Sequence, residues 1–393
     1  MTETIKLGEV ITDIAAGPFG SNLKVSCFVD DGFPIVDGAN LKSYKLTDNI
    51  TKFVTEEKAR SLQRSIAKRN DVVVTISGTV GQISYIPMDS KYEAYLCSQR
   101  QFRASFDTRR VYVPYLVFYF HTYEGQHKIL SFANQTGVPA LAQPLKNFRL
   151  IEMDLPDMET QKKIAGIIEA INNRIESNTA INENLLQQAQ ALFADAFPYE
   201  PDDELPGGWK KGTVGDIVEI HDSKRIPLSG AQRDKMTKRI YPYYGAASLM
   251  DYVDEYIFDG IYLLLGEDGT VVDELGYPIL QYVWEKFWVN NHAHILTGKN
   301  GFSVESLMLL FKRTPVKSIV TGAVQPKISQ ANLRSIPVAI PSADALSSFN
   351  HLIAPMFGQI RKNVDQNKVL AQLRDTLLPK LMSGELDVSR IEL

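Results

Sequence analysis

Polar side chains beside glycines are the residues of this chain whose types and spacing suit recognition chemistry. Reading the bases of a nucleic acid requires hydrogen-bond donors and acceptors on exposed loops, and contact with its phosphates requires cations. In the first part of the chain the candidates are Ser21, Asn22, Lys24, Asn40, Lys42, Tyr44, Ser77, Thr79 and Arg100. In the second part they are Ser223, Lys224, Arg225, Tyr244, Ser248, Asp268, Thr270, Asn291, His292 and Lys327. Because such residues also form turns, a structural role is the alternative at each position, and a structural junction is the favoured interpretation around Lys327.

Catalytic chemistry finds little support in the sequence. The chain contains no glycine-rich phosphate loop, no His-Glu-x-x-His motif and no Asn-Pro-Pro-aromatic or Asp-Pro-Pro-aromatic tetrad. Asp273-Glu274 with Glu285-Lys286 resembles the charged set of a nuclease, but chance explains such a match among so many charged residues. His292 and His294 could form a metal pair, but the sequence shows no third ligand cluster beside them. We therefore expect neither an enzyme nor a metal site.

Composition is that of an ordinary globular protein, with 393 residues of which 44% are hydrophobic and 22% charged. This length predicts two or three domains, each able to bury its own core. No run approaches the roughly 18 apolar residues of a membrane helix, and the N-terminus does not resemble a signal peptide. Two cysteines, Cys27 and Cys97, form no disulfide framework or metal cluster and fit a reducing cytoplasm.

The net charge of −4 at pH 7 is concentrated in one segment of the chain. Residues 151–209 carry a net charge of −9, whereas residues 1–150 carry +4 and residues 210–340 carry +1. Since screening limits charge interactions to about 10 Å at moderate salt, local charge governs contact with phosphates. The overall acidity therefore does not exclude a nucleic-acid partner.

The chain repeats itself at an offset of 185 residues. Thr136-Gly137 recurs as Thr321-Gly322, and Leu155-Pro156 recurs as Ile340-Pro341. A unit of this length is a domain followed by a helix, not a short solenoid repeat. Two similar units can fold about an approximate two-fold axis, which suits a ligand with two half-sites such as duplex DNA.

Each unit ends in a long helix with the heptad pattern of a coiled coil. The seam positions are Ile168, Ile175, Asn178, Asn182, Leu185 and Leu192 in the first helix, and Ile353, Ile360, Asn363, Asn367, Leu370 and Leu377 in the second. Antiparallel packing that places Asn178 opposite Asn367 also places Asn182 opposite Asn363. A parallel arrangement would stack asparagines too and is the alternative. Buried amide pairs of this kind fix the register of two helices.

We predict an α+β (mixed α/β) fold with two similar globular domains, separated by two long helices that pack as an antiparallel coiled coil with pseudo-two-fold symmetry. The expected segments are a first domain at residues 1–155, a helix at 156–197, a linker at 198–209, a second domain at 210–340, a helix at 341–384 and a tail at 385–393. Asp157 and Ser342 suit helix N-caps, and Ser383-Gly384 suits a helix end.

The whole chain resembles the specificity (S) subunit of type I restriction–modification systems. In the first unit the resemblance rests on the motifs at residues 7–10, 17–24, 71–74, 78–81 and 159–164. In the second unit it rests on the motifs at residues 206–209, 214–217, 321–329 and 377–386. No single motif is specific, but their order, repeated twice with a helix after each copy, is typical of the family.

The resemblance implies two target recognition domains, each reading one half of a split DNA sequence, with the helices setting the gap between the halves. It also implies partner methyltransferase (M) and restriction/translocase (R) subunits, with S-adenosylmethionine bound by the methyltransferase and not by this chain. The predicted function is thus that of a non-catalytic, cytoplasmic DNA-recognition subunit. A stand-alone nuclease with an unrecognised site and a protein-binding scaffold are the alternatives.

Overall fold

The computed structural model describes residues 2–134, 138–322, 324–389 and 391. The chain divides into two compact units, one formed by Met1–Ile175 with Lys368–Leu393 and the other by Glu176–Asn367. Each unit contains one globular domain and parts of two long helices. Thr136 and Gly137, which belong to the sequence repeat, lie outside the described residues.

The first domain combines short strands with short helices. Its strands are β1 Glu3–Lys6, β2 Ile11–Ala16, β3 Phe28–Val29, β4 Phe33–Val36, β5 Phe53–Val54, β6 Ile66–Lys68, β7 Val72–Thr75, β8 Ile83–Tyr85, β9 Ala94–Cys97, β10 Gln101–Phe106 and β11 Glu152–Leu155. Its helices are α1 Glu56–Ser61, α2 Val113–Phe120, α3 Tyr123–Leu130 and α4 Pro144–Leu150, and the long helix α5 Met158–Ala196 follows.

The second domain follows α5. Its strands are β12 Lys210–Thr213, β13 Val218–Ile220, β14 Tyr241–Tyr244, β15 Leu249–Val253, β16 Tyr262–Gly266, β17 Leu280–Val283, β18 Trp288–Val289, β19 Ala293–Gly298 and β20 Pro337–Ile340. Its helices are α6 Val214–Ile217, α7 Gly230–Asp234, α8 Val304–Phe311 and α9 Gln330–Arg334, and the long helix α10 Ala343–Met382 follows.

Sheet topology confirms the duplication. An antiparallel sheet of order β2-β10-β7-β8 in the first domain corresponds to one of order β13-β19-β16-β17 in the second. The pair β1-β11 corresponds to β12-β20, and the parallel pair β4-β9 corresponds to the parallel pair β14-β18. The predicted mixed α/β fold with two similar domains is therefore correct.

Apolar faces of the sheets, short helices and long helices build one main core in each unit. In the first unit, Phe102 and Phe120 are fully buried, and the ring of Phe148 lies 5.1 Å from that of Phe102. Ile168 of α5 and Leu378 of α10 belong to this same core. Burial of such large side chains contributes about 1.5–3 kcal/mol each, which is the main force holding each helix against its domain.

Within each unit, the parts of α5 and α10 run antiparallel to each other. In the second unit, Asn178 donates from Nδ2 to Oδ1 of Asn367 at 2.8 Å, and Asn363 donates from Nδ2 to Oδ1 of Asn182 at 2.8 Å. Residue numbers rise along one helix while those of the partners fall along the other. Both predicted asparagine pairs are thus confirmed, and the parallel alternative is wrong.

The other seam positions divide between the two cores. Ile168 and Leu377 pack in the first core, and Leu192, Ile353 and Ile360 pack in the second. Ile175, Leu185 and Leu370 are half-buried.

Asp157 and Ser342, which were expected to cap the long helices, make capping hydrogen bonds. Thr160 donates its backbone N–H to Oδ1 of Asp157 at 2.9 Å, and Ala345 donates its backbone N–H to Oγ of Ser342 at 3.3 Å. Gly384 has a φ of +74°, the left-handed conformation that glycine favours after a helix. Among the described residues, no helix has the length and apolar character needed to cross a membrane.

Candidate nucleic-acid interface

Three loops of the first domain meet around one cleft, which we call the first cleft. The parallel strands β4 and β9 end at the same edge of their sheet and are followed by the loops at Asp37–Ala39 and Ser98–Arg100. The turn Ser77–Thr79 between β7 and β8 forms a further wall. The cleft has a volume of about 570 Å³. Three predicted residues that lie far apart in the sequence, Ser77, Thr79 and Arg100, are brought together here.

A buried glutamine holds the floor of the first cleft in place. Gln101 is 1% exposed, receives a hydrogen bond from the Ser98 hydroxyl and donates from Nε2 to Oγ1 of Thr75 at 3.3 Å. Gly78 has a φ of +86°, so the turn above this floor requires a conformation that other residues rarely adopt. Arg100, by contrast, is exposed and has no carboxylate within 4.0 Å among the described residues. A rigid floor with a free guanidinium at its rim suits contact with a guanine edge or a phosphate.

The second domain contains a corresponding second cleft of about 330 Å³. The loops after the parallel strands β14 and β18, together with the turn residues Asp268 and Gly269, supply its walls. The register of the sheets makes the correspondence specific. Thr75 pairs with Gln101 in the first domain, and Gly266 pairs with Ala293 in the second, so His292 occupies the place of Arg100 and Asp268 that of Ser77. Ser248, Asp268 and His292, all predicted from the sequence, line this cleft.

Asp268 presents an unused acceptor in the second cleft. Its Oδ1 is buried and has no hydrogen-bond partner among the described residues, while its Oδ2 lies 3.5 Å from Nδ1 of His292. An unsatisfied buried acceptor costs about 1–3 kcal/mol, so such a group calls for a donor from a ligand. Carboxylates accept hydrogen bonds from the N4 amino group of cytosine.

A buried ionic network lies beneath the second cleft. His294 is fully buried, its Nδ1 lies 2.6 Å from Oδ2 of Asp222, and its Nε2 lies 2.8 Å from the carbonyl oxygen of Ile328. Arg225 donates from Nη1 to Oε2 of Glu267 at 2.5 Å, and Nζ of Lys327 lies 3.3 Å from Oε1 of Glu267. The network thus joins the segments that carry Lys224, Asp268, His292 and Lys327.

The electrostatics of this network fit ion pairs better than a metal. Asp222, Glu267 and His294 offer ligand atoms within 4.8 Å of one another, so His294 does have acidic neighbours that its sequence surroundings do not reveal. However, both ring nitrogens of His294 already face oxygen atoms, and two cations neutralise Glu267. Burial alone would raise the pKa of Asp222, but hydrogen bonds from His294 and Ile295 and the charge of Arg225 hold that pKa below its usual value.

Several predicted residues lie exposed on loops, where a ligand could reach them. These are Ser21, Asn22, Lys24 and Lys42 in the first domain, and Ser223, Lys224, Thr270, Asn291 and Lys327 in the second. Asn22 lies beside the first cleft on the loop before Leu23, which lines that cleft. The structural junction favoured around Lys327 is supported, because Thr321 and Lys327 exchange backbone hydrogen bonds at 2.9 and 2.8 Å.

At four predicted contacts the side chain already has partners within the protein. Asn40 is 4% exposed, and its side-chain amide forms hydrogen bonds with the backbone of Asp37, Thr47 and Asn49. These bonds stabilise the loop. Tyr44 is half-buried, with its ring 4.8 Å from that of Phe118. The Arg225 guanidinium is held by the ionic network, and the ring of Tyr244 lies against Phe287 with its hydroxyl 3.5 Å from Glu285.

Some cleft residues were missed by the sequence analysis. Gln82 and the ion pair between Lys52 and Asp37, with 2.6 Å between Nζ and Oδ2, line the first cleft, and Asn290 and Gln325 line the second. Gln82 could have been found, because β8 returns along β7 and so places it opposite Thr75. The ion pair depends on contacts between distant loops and has no local signal.

Comparison with known proteins identifies the kind of domain that carries these clefts. The family described as type I restriction modification DNA specificity domain matches residues 3–187 and again residues 206–372. The chain is 24% identical over 370 residues to the type I restriction enzyme MjaIX specificity subunit of Methanocaldococcus jannaschii, covering 86% of this chain and 82% of that one. It is 21% identical over 332 residues to the HindI specificity subunit of Haemophilus influenzae, covering 60% and 69%.

A solved structure supports the same fold. The S subunit of a type I restriction–modification system from M. genitalium superposes with a TM-score of 0.59 at 16% sequence identity, covering 97% of this chain and 96% of that chain. At this level of identity the likeness concerns the fold.

Proposed function

The chain belongs to the type I restriction modification DNA specificity family, and we propose that it is the non-catalytic subunit that selects the DNA sequence for such a system. Each domain reads one half of a bipartite target through its cleft, and the long helices set the unread gap. The observation that carries this proposal is the recurrence of a cleft at the same topological position in both domains, with different side chains at its rim.

The differences between the clefts are those expected of two different half-sites. The first cleft presents Ser77 and the cation Arg100, whereas the second presents Asp268 and His292 at the corresponding positions. Since arginine pairs well with guanine and carboxylates with cytosine, two such clefts select different bases.

The partners follow from the family. We place methyltransferase subunits along α5 and α10 and restriction/translocase subunits on the resulting complex, with S-adenosylmethionine bound by the methyltransferase. Glu169 is unsuitable for such docking, because it is half-buried and its Oε1 lies 3.3 Å from the hydroxyl of Tyr85. Glu183 is exposed and suits a partner's cations. A cytoplasmic location is part of the proposal, and it is consistent with Cys27 and Cys97 both being free thiols.

Methylome sequencing of cells with and without this chain tests the proposal directly. We expect one bipartite methylated motif that disappears when the chain is absent. Arg100→Gln should change the preference at one half of the motif, and Asp268→Asn should change it at the other half. Metal-dependent cleavage by the purified chain alone, or no affinity for DNA in the presence of the methyltransferase subunits, would contradict the proposal.

A further inference from the structure

A basic segment of the first domain lies outside the clefts. Between residues 58 and 69 the chain carries Lys58, Arg60, Arg64, Lys68 and Arg69. The segment folds as α1, a 3-10 turn at Gln63–Ser65 and the strand β6. None of these cations was among the predicted contacts, because no glycine-rich loop marks them in the sequence.

The backbone of this segment is fixed to the main sheet. Ser65 donates from Oγ to the carbonyl oxygen of Ala16 at 2.9 Å, and Arg103 donates from Nε to the carbonyl oxygen of Arg64 at 3.1 Å. Arg103 is itself 8% exposed and donates from Nη2 to Oδ2 of Asp13 at 2.5 Å. The cations therefore emerge from an ordered backbone, so their spacing is largely set before any ligand binds.

Two neighbouring cavities lie along this segment, and we call them together the basic groove. The cavities have volumes of about 670 and 570 Å³, and both are lined by Asp13, Gln63, Arg64 and Arg103. Arg60 lines the first cavity and Lys68 lines the second. An elongated groove with cations distributed along it suits a chain of anions better than a single small anion.

Among the described residues, three cations of the basic groove are not held in ion pairs, although the nearby Asp13 interacts electrostatically with Arg64. Arg60, Arg64 and Lys68 are exposed, and none has a carboxylate oxygen within 4.0 Å in the part of the chain that the structure describes. Of the acidic residues lining the groove, Asp13 pairs with Arg103, and Asp71 is buried and accepts a hydrogen bond from Ser105 at 2.5 Å. Burial also raises the pKa of Asp71, which lowers its tendency to carry a charge.

The basic groove adjoins the first cleft through a shared loop. Gly17, Phe19 and Asn22 line the groove, and Leu23 of the same loop lines the cleft. Gly17 donates its backbone N–H to the carbonyl oxygen of Gln101 in the cleft floor at 2.8 Å. A duplex bound in the cleft would therefore extend along the groove.

We propose that the basic groove binds the sugar–phosphate backbone of duplex DNA next to the half-site read by the first cleft, with Arg60, Arg64 and Lys68 contacting phosphates. This inference rests on the proposed function and adds the residues that supply sequence-independent affinity. Phosphate contacts position a protein on the duplex but do not read its sequence. The groove therefore contributes affinity and salt dependence, while the cleft contributes base preference.

The test uses the complex of the full chain with its methyltransferase subunits and a duplex carrying the methylated motif. Binding constants of wild type and of the triple variant Arg60→Gln, Arg64→Gln, Lys68→Gln are measured between low and moderate salt. Each lost phosphate contact lowers the slope of log K against log salt by about 0.9, so we expect a decrease of roughly 2–3 for the variant. The ratio of affinities for the motif and for a scrambled duplex should stay within about twofold of wild type, since phosphate contacts bind both.

A control with the same change in net charge separates local contact from overall charge. Lys6, Lys91 and Arg109 are exposed cations of the same domain that line neither the cleft nor the groove. Changing these three to glutamine should leave the salt slope at its wild-type value. Equal slopes for wild type and both variants would overturn the proposal, as would equal decreases in the two variants.

Neutral phosphates give a second measurement, because they remove the contact from the side of the DNA. Methylphosphonates placed just outside the half-site whose preference Arg100→Gln alters should weaken binding of the wild-type complex. The triple groove variant should not respond to them, and a full response would overturn the proposal. A wild-type complex with no preference for the motif would instead show that the proposed function itself is wrong.

Discussion

His294 and Phe102 occupy the same position in the two copies of the fold. In the second domain His294 of β19 pairs with Leu265 of β16, and in the first domain Phe102 of β10 pairs with Val74 of β7. The second domain therefore replaces a core aromatic with a charged network beneath its cleft. Removing one partner from a buried charged hydrogen bond costs about 1.5–3 kcal/mol. We expect His294→Phe to lower the free energy of unfolding of the second domain by about that amount in urea titrations. His292→Phe, at a half-exposed site two residues away, is the matched control and should change the stability little.

Asp268 provides the sharpest test of base preference. Replacing its carboxylate with an amide in Asp268→Asn exchanges an acceptor for a donor, so a cytosine at the contacted position should no longer be favoured. A good contact of this type discriminates by about 1–3 kcal/mol, which competition binding with single-base substitutions of the motif would detect. Glu274→Gln changes the same charge on an exposed residue outside the second cleft and should leave every position unaffected. Unchanged preference at all positions in Asp268→Asn would remove this residue from the contacts.

His121 makes the stability of the first domain depend on pH. Burial lowers its pKa from the usual 6.5, and its Nε2 lies 2.8 Å from the carbonyl oxygen of Ile83. Below about pH 6.5 the unfolded chain binds a proton that the folded chain resists, so stability falls with falling pH until the folded pKa is passed. The slope is at most about 1.4 kcal/mol per pH unit for one proton. Urea titrations of wild type and His121→Gln between pH 5 and 7 should show a shallower dependence in the variant; identical slopes would assign the effect elsewhere.

The sequence predicted which loops form the clefts better than it predicted which of their side chains are free to contact a ligand. Ser77, Arg100, Asp268 and His292 were found because glycines and polar residues mark turns locally. The internal partners of Asn40 were not foreseen, because the three backbone groups that bond to its amide come from other parts of the loop. Whether a polar side chain is free or already satisfied depends on tertiary contacts, which a local pattern does not contain.

At the scale of elements, the asparagine pairs of α5 and α10 carry a specific prediction. Asn178 is fully buried, and its Oδ1 has no partner among the described residues although its Nδ2 donates to Asn367. Replacing both partners of a buried polar pair with apolar residues is often neutral or stabilising. We expect Asn178→Leu with Asn367→Leu to keep or raise stability by about 1 kcal/mol but to loosen the helix register. Cysteine cross-linking at neighbouring seam positions would detect a shifted register, and an unshifted pattern would show that Asn182 and Asn363 suffice.

Helices were predicted more fully than sheets. The seam of α5 and α10 and their caps follow from spacing within one segment. The sheet order β2-β10-β7-β8 and the parallel pairing of β4 with β9 were not predicted, because they join strands that are distant in the chain. The sequence repeat nevertheless predicted that the two domains share one topology.

For the whole molecule, the duplicated topology predicts that the recognition domains can be exchanged. Replacing residues 2–155 with the corresponding domain of a related chain should change one half of the methylated motif and leave the other half and the gap unchanged. Methylome sequencing of cells carrying the hybrid would show this result. A change in both halves would mean that the two domains do not read DNA independently.

The division of the chain between its units has a consequence for biosynthesis. The second unit is one continuous stretch, Glu176–Asn367, whereas the first needs both ends of the chain, with Leu378, Leu381 and Val388 in the same core as Phe102. A ribosome delivers these three residues only after it has made the whole of the second unit. The core of the first domain therefore stays incomplete until the second domain has been synthesised. Until helix α10 has left the ribosome, the first domain of a nascent chain is exposed to misfolding and proteolysis.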